Sequence, residues 1–195
     1  MKTIVNKPFL DQRAKYARWG SYVGFGALLL GLLTTTRYTL LSYLFLLVGL
    51  LGASIGSYLA NRYVKEPRAD QVLSQMMESL DDRYSFFNYY LPANHVVASH
   101  RGLTVLEPRT QKGEIRYEDG RWRHKAGFRK VLQLFGEPSL GKPDQDLERN
   151  IQLTKNKIDE LMPEQDIPVN GTIVFTAPAV TLSVSDAPYP AVKAK

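Results

Sequence analysis

Two long uncharged segments near the N-terminus decide the architecture of this 195-residue chain. The first is WGSYVGFGALLLGLLTTT, residues 19–36, and the second is YTLLSYLFLLVGLLGASIGSYLAN, residues 38–61, with Arg37 alone between them. At about 1.5 Å per residue these segments would span about 27 and 36 Å as helices, against a hydrocarbon core of about 30 Å. Neither has a polar face, so we predict a two-helix transmembrane hairpin rather than two core helices of a soluble protein.

Basic residues flank the predicted hairpin on both sides and are nearly absent from its turn. The segment 1–18 holds five Lys or Arg residues and the segment 62–68 holds three, whereas Arg37 stands alone at the turn. The positive-inside rule therefore predicts an integral protein of the cell or inner membrane with both termini in the cytoplasm. Because neither span carries a charged residue, we expect an anchor rather than a transporter or channel.

Two pairs of glycines at four-residue spacing mark helix faces on which backbones can approach closely. Gly20 and Gly24 form the first pair, and Gly52 and Gly56 form the second. Such faces would serve either the hairpin itself or self-association of the chain in the lipid bilayer.

The overall composition excludes several classes of site. The net charge is +6 and the pI about 9.4, but most of this charge lies in and before the hairpin, so it gives no general argument for nucleic-acid binding. The chain has no cysteine, which excludes a disulfide framework, a thiolate zinc site and a cysteine nucleophile. Of the three histidines, we expect His95 to be packed or hydrogen-bonded within an apolar strand, and His100 and His124 to be solvated.

Beyond the basic segment 1–18, the hairpin 19–61 and a linker 62–68, residues 69–186 predict a small α/β domain, with α+β as the alternative. We expect a mixed sheet flanked by helices. The predicted helices cover 68–80, about 128–135 and 143–161, and the predicted strands cover 84–90, 94–99, 103–107, 113–118, 121–123, 171–176 and 180–184. The tail, residues 187–195, is predicted to be loose.

One run of this domain has the order strand, glycine turn, strand, Gly-x-Ile and Trp. It comprises Asn94–Ala98, Arg101-Gly102, Leu103–Arg109, Gly113-Glu114-Ile115 and Trp122, and it continues with Lys142–Asp146 and Ile173–Thr176. This run resembles the nuclease-related domain (NERD) family over roughly residues 69–184. The resemblance implies a restriction-endonuclease-like fold with a PD-(D/E)xK site, in which carboxylates hold Mg²⁺ or Mn²⁺.

The resemblance implies four site positions, and two of them depart from the family pattern. Asp70 and Glu107 are acidic and would be the metal ligands of an active site. Asn94 stands where the family has a carboxylate, and Arg109 stands where it has a lysine. Asp146 takes the place of a helix glutamine. Since arginine cannot give up its proton, we predict a domain that no longer cuts and acts as a binding or scaffold module. The alternatives are an active divalent-metal-dependent nuclease at the membrane and a protein-interaction module with no nucleic-acid role.

A basic cluster follows the Asp119-Gly120 turn and contains one tryptophan. Its members are Arg121, Trp122, Arg123, Lys125, Arg129 and Lys130. Such a cluster is typical of a nucleic-acid surface and equally of a face that lies on anionic lipid headgroups. An ordinary solvated hairpin has the same composition, so all three interpretations stay open.

Overall fold

A computed structural model describes residues 1–125 and 139–194 and divides the chain into two compact units. One unit, Lys7–Arg68, is a pair of helices, and the other joins Met1–Asn6 to Ala69–Lys195. The described residues contain four helices and a mixed sheet, so the chain is a mixed helix-and-sheet protein, as predicted. The helix predicted at 128–135 lies outside the described residues.

The helical unit consists of α1, Lys7–Thr34, and α2, Thr39–Tyr63. Among the described helices, α2 alone is long and apolar enough to cross a membrane, with a mean hydropathy of 2.0. The helix α1 begins well before the predicted span and carries the five charged residues of its first half, Lys7, Asp11, Arg13, Lys15 and Arg18. By length and apolarity, therefore, one helix qualifies where the sequence predicts two spans.

The helices α1 and α2 pack antiparallel with almost nothing between their backbones. A β-carbon built on Gly52 would lie 3.0 Å from the Cα of Gly24, and one built on Gly20 would lie 3.2 Å from the Cα of Gly56. Both predicted glycine pairs thus lie between the two helices of a single chain. Self-association through the same faces would require these helices to separate.

A hydroxyl cluster closes the hairpin near its turn. The Ser42 hydroxyl donates to the Gly31 carbonyl at 2.6 Å, and the Thr35 hydroxyl donates to the same oxygen at 2.8 Å. These bonds satisfy polar side chains at a buried helix–helix contact, which apolar surroundings require.

The described residues of the second unit form two sheets and two helices. The six-stranded sheet has the order β1-β2-β3-β4-β7-β9, and the three-stranded sheet has the order β6-β5-β8. The helices are α3, Ala69–Met76, and α4, Pro143–Leu161. The strands are β1 Lys2–Val5, β2 Ser85–Asn88, β3 His95–Ser99, β4 Gly102–Arg109, β5 Gly113–Glu118, β6 Arg121–Lys125, β7 Val169–Phe175, β8 Val180–Val184 and β9 Ala191–Lys193. The predicted bounds of β5, β8 and α4 are confirmed.

Strand direction in the larger sheet is nearly uniform. Only β3 is antiparallel to its neighbours, whereas β1 with β2, β4 with β7, and β7 with β9 are parallel pairs. The C-terminal ends of β1, β2, β4, β7 and β9 therefore all lie at one end of this sheet.

Each face of the larger sheet has its own core. On one face Val105 and Ile173 pack in a cluster that includes Leu147 of α4. On the other face Leu106 and Val97 pack in a cluster that includes Leu73 of α3. Because successive strand residues point to opposite faces, neighbouring positions of β4 belong to different cores.

Two strands lie where the sequence predicted none. Within the predicted basic segment 1–18, β1 pairs in parallel with β2, from Lys2 opposite Ser85 to Val5 opposite Asn88. Within the predicted loose tail 187–195, β9 pairs with β7. Both are edge strands of three or four residues that backbone hydrogen bonds hold, so they are too short for a two-residue hydrophobic period to show in the sequence.

Candidate functional site

Two of the four predicted site positions, Glu107 and Arg109, lie at the C-terminal end of β4. Glu107 is in register with Ile173 of β7, and Arg109 with Phe175. On the other side, the β3–β4 register begins with Val96 opposite Val105, and Asn94 precedes the start of β3. Glu107 and Arg109 alternate with Leu106 along β4, so they share the face that α4 covers.

Pro108 occupies a central strand at a point where no hydrogen-bond donor is needed. The Leu103 N–H and the Arg109 carbonyl both bond towards the β7 side, with Pro168 and Thr176 respectively. Odd-numbered residues of β4 therefore bond towards β7, and Pro108 faces the β3 side. There the register reaches Ala93, which precedes the start of β3. A central strand thus tolerates a proline, which usually is confined to edges.

The Arg109 guanidinium joins two carboxylates at this end of the sheet. Its Nη2 atom lies 2.6 Å from Asp146 Oδ2 and 3.3 Å from Glu107 Oε1. Asn150, one turn further along α4, donates from Nδ2 to Glu107 Oε2 at 2.8 Å. The side chains of Glu107 and Arg109 are 13% and 14% exposed, so this ion pair is largely shielded from water. It links β4 to the first two turns of α4.

The surrounding charges come close to cancelling. Asp146 also contacts the Arg149 guanidinium at 3.4 Å, so two carboxylates face two guanidinium groups. Asp144 lies in the first turn of α4, as the helix dipole favours.

The fourth predicted position, Asp70, lies with the other core. It is the second residue of α3, is 3% exposed, and accepts a hydrogen bond from the Tyr89 hydroxyl at 3.3 Å. The Tyr89 ring meets the His95 ring edge-on, with 5.2 Å between centroids. His95 and Leu106 occupy the face that α3 covers, whereas Glu107 occupies the opposite face. The structure therefore brings Glu107 and Arg109 together, leaves Asp70 apart from them, and has Asn94 in the connection before β3.

Asp70 belongs to a buried polar cluster that the sequence did not predict. Asn88 is fully buried, and its Oδ1 lies 2.7 Å from Nδ1 of His95. His95 is itself buried, which confirms the prediction of a hydrogen-bonded histidine in an apolar strand. The signal for Asn88 and Tyr89 was present in the run Phe86-Phe87-Asn88-Tyr89-Tyr90, where one amide interrupts a run of aromatic residues.

The residues at the end of β4 do not fit a divalent cation. Both carboxylate oxygens of Glu107 are engaged, one by Arg109 and one by Asn150. The guanidinium already supplies a positive charge between Glu107 and Asp146. In the described part of the chain, no group of three or more His, Asp or Glu side chains is placed to hold a metal ion. We therefore derive no chemical step through Mg²⁺ or Mn²⁺.

The described residues of the basic cluster point to opposite sides of β6. Arg121, Arg123 and Lys125 are exposed on β6, whereas Trp122 points inward and packs on Phe175 with 5.9 Å between ring centroids. Trp122 is therefore not a stacking platform beside these cations. Arg129 and Lys130 lie outside the described residues.

Acidic residues on β5 offset much of the positive charge on β6. The cross-strand register pairs Arg121 with Glu118 and Lys125 with Glu114. Arg116, between those two acids, forms ion pairs with both of them. Opposite charges at facing positions stabilise an antiparallel pair, so this face also has the features of an ordinary solvated hairpin.

The clear pKa shifts lie away from the end of β4. The Arg83 side chain donates a hydrogen bond to Asp81 and lowers the pKa of that carboxyl. The hydrogen bond to Glu114 raises the pKa of Arg116 further above its already high value. Burial raises the pKa of Tyr189, and the nearby Glu148 carboxylate adds to the effect.

The resemblance to the NERD family rests on the residues quoted above, because comparison of the chain with family models, with curated proteins and with solved structures gives no match.

Proposed function

We propose that this chain is a membrane-anchored cytoplasmic protein whose nuclease-related domain binds a partner and does not cut nucleic acid. The anchor would be the α1–α2 hairpin, crossing the bilayer twice. The binding domain would be the sheet unit, with a restriction-endonuclease-like fold. Its ancestral metal site would be closed by Arg109.

The connectivity of the sheet unit supports two crossings. Because β1 pairs with β2, residues on both sides of the helical unit belong to one folded sheet. An open sheet cannot be divided across hydrocarbon, so the chain must cross the bilayer an even number of times between Asn6 and Ala69. If α2 crosses, then α1 crosses as well, and its charged first half extends beyond the hydrocarbon. The excess of Lys and Arg at this end favours the cytoplasmic side.

The observation that carries the proposed loss of cleavage is the contact of Arg109 with both Glu107 and Asp146. A metal-dependent nuclease needs carboxylates that are free to hold a cation and a group that activates water. Here a permanent cation takes up the carboxylates, and a guanidinium cannot act as a base. Asn94 supplies an amide where the family pattern has a second carboxylate.

A cleavage assay on the full chain in lipid nanodiscs tests this proposal. The chain is incubated with single- and double-stranded DNA and with Mg²⁺ or Mn²⁺, beside the variant Glu107→Ala. We expect no cleavage above the level of Glu107→Ala with either cation. Cleavage by the natural chain that Glu107→Ala abolishes would establish the alternative, an active nuclease.

A second measurement distinguishes the kinds of partner. DNA binding at several salt concentrations is measured for three proteins. They are the natural chain, the double variant Arg121→Ala/Lys125→Ala on β6, and the charge-matched double variant Lys155→Ala/Lys157→Ala on α4. Salt-dependent binding that only the β6 variant loses would identify a nucleic-acid partner. Equal and weak binding by all three proteins would favour lipid headgroups or another protein.

A further inference from the structure

The chain leaves the sheet unit after Asn6 and returns to it at Ala69. Tyr89 forms hydrogen bonds near both of these points. On leaving, the Asn6 N–H donates to the Asn88 carbonyl at 3.0 Å, and Asn6 Nδ2 donates to the Tyr89 carbonyl at 3.1 Å. On returning, Asp70 accepts a hydrogen bond from the Tyr89 hydroxyl at 3.3 Å. Tyr89 is buried and has a φ of 65°, in the left-handed region that non-glycine residues seldom adopt. The surrounding structure therefore holds this residue firmly.

The two connections to the helices differ in length. β1 ends at Val5 and α1 begins at Lys7, so Asn6 alone separates strand from helix. On the other side, the five residues Val64–Arg68 separate α2 from α3. A displacement of α1 would therefore act directly on β1, whereas the longer connection can absorb a displacement of α2.

Of the strands in the larger sheet, β1 is well placed to detach. It has four residues, lies at the edge, and pairs with β2 alone. Its ends are held by three attachments. The Lys2 N–H donates to the Tyr84 carbonyl and the Asn6 N–H to the Asn88 carbonyl, each at 3.0 Å. The Met1 ammonium group donates to the Leu80 carbonyl at 2.7 Å and lies 3.3 Å from Asp82 Oδ1. Detachment would leave the outer edge of β2 with unpaired backbone groups, which is the usual template for strand addition.

We propose that β1 is a strap, driven by the membrane hairpin, that opens the β2 edge of the sheet when α1 shifts in the bilayer. The proposal rests on the membrane anchoring proposed above and is independent of whether the site cuts DNA. A change in bilayer thickness tilts or shifts a membrane helix. The one-residue connection passes that movement to β1, while Tyr89 keeps β2 and α3 in place.

Amide hydrogen exchange on the full chain tests the strap without altering the hairpin. The chain is placed in nanodiscs of short-chain and of long-chain phosphatidylcholine, and exchange is followed in peptides that cover β1 and β2. We expect exchange in these peptides to differ about tenfold between the two bilayers, while exchange in α4 stays constant.

Two insertion variants decide whether the movement passes through Asn6. A Gly-Ser-Gly-Ser insertion between Asn6 and Lys7 should abolish the difference between bilayers, because it uncouples α1 from β1. The same insertion between Arg68 and Ala69 is the matched control and should preserve the difference. Equal exchange in both bilayers for the natural chain would overturn the proposal, and so would a difference that survives the insertion after Asn6. Neither result bears on the cleavage assay.

Discussion

Two contacts in this molecule pack a helix against its neighbour by opposite means. Between α1 and α2 the contact depends on missing side chains, since Gly24 and Gly52 bring two backbones together. Between α4 and β4 it depends on charged side chains, since Arg109 joins Glu107 to Asp146. The first contact cannot accept added atoms, whereas the second cannot lose one charge without leaving the others uncompensated. Substitutions should therefore harm the two contacts for different reasons.

The largest effect should come from adding a side chain between α1 and α2. A β-carbon on Gly24 would overlap the backbone nitrogen of Ala53, so Gly24→Leu should destabilise the helix pair by about 3 kcal/mol. Gly26 is the matched control, because a β-carbon there would meet nothing within 4 Å. Unfolding of the full chain in detergent micelles, followed by circular dichroism, measures both variants. Equal destabilisation by Gly24→Leu and Gly26→Leu would show that the close contact does not hold the hairpin.

A smaller effect should come from breaking the ion pair on one side. Arg109→Met leaves the Glu107 and Asp146 carboxylates without their shared cation, and it should lower the free energy of unfolding by about 2 kcal/mol. Adding Glu107→Leu should recover much of that loss, because an apolar pair replaces the charged one. Urea denaturation of both variants gives the comparison. If the double variant is less stable than Arg109→Met alone, the ion pair is not the main contribution of these residues.

Introducing the acidic and lysine side chains of the family pattern should change the response to metal. The variant Asn94→Asp with Arg109→Lys adds a carboxylate before β3 and removes the guanidinium fork. We expect Mn²⁺ to stabilise this variant by about 1 kcal/mol, through preferential binding to the folded state, and to leave the natural chain unchanged. Melting temperatures with Mn²⁺ and with a chelator measure the difference. Stabilisation of the natural chain by Mn²⁺ would contradict the closed site.

The smallest effect should appear at alkaline pH beside α4. Because burial raises the pKa of Tyr189, its neutral form stabilises the fold below the ordinary tyrosine pKa of about 10. That contribution is lost as the pH rises through the raised value, so the chain should lose stability as the pH rises above about 10. Tyr189→Phe should reduce this loss by a few tenths of a kcal/mol, since the residue is only half-buried. An identical pH profile for both proteins would show that Tyr189 does not contribute to the loss of stability at alkaline pH.

The sequence predicted those parts of the molecule whose side-chain pattern repeats. The buried face of α4 and the alternation of β8 gave correct bounds, and the Asp119-Gly120 turn lies between β5 and β6, with positive φ at both residues. The hairpin appeared as two apolar segments, although the start of α1 was missed because its first half is charged.

The remaining features depend on contacts between residues far apart in the sequence. Lys2 reaches Ser85 through a parallel pair of strands, and no local pattern marks such a partner. The pairing of Arg109 with Asp146 and of Glu107 with Asn150 likewise requires α4 to be placed on β4. The resemblance gave Asp70 as a site residue, but the alternation of β4 separates its face from that of Glu107. Spacing along the chain could not reveal that separation.

We proposed that Arg109 keeps Glu107 and Asp146 from holding a cation, and titration of Mn²⁺ into the full chain in nanodiscs tests this proposal most directly. Isothermal titration calorimetry is carried out on the natural chain and on Glu107→Ala in the same nanodiscs. We expect no saturable binding by either protein and no DNA cleavage at any cation concentration. Saturable binding by the natural chain that Glu107→Ala abolishes would contradict this proposal, whether or not DNA is cleaved.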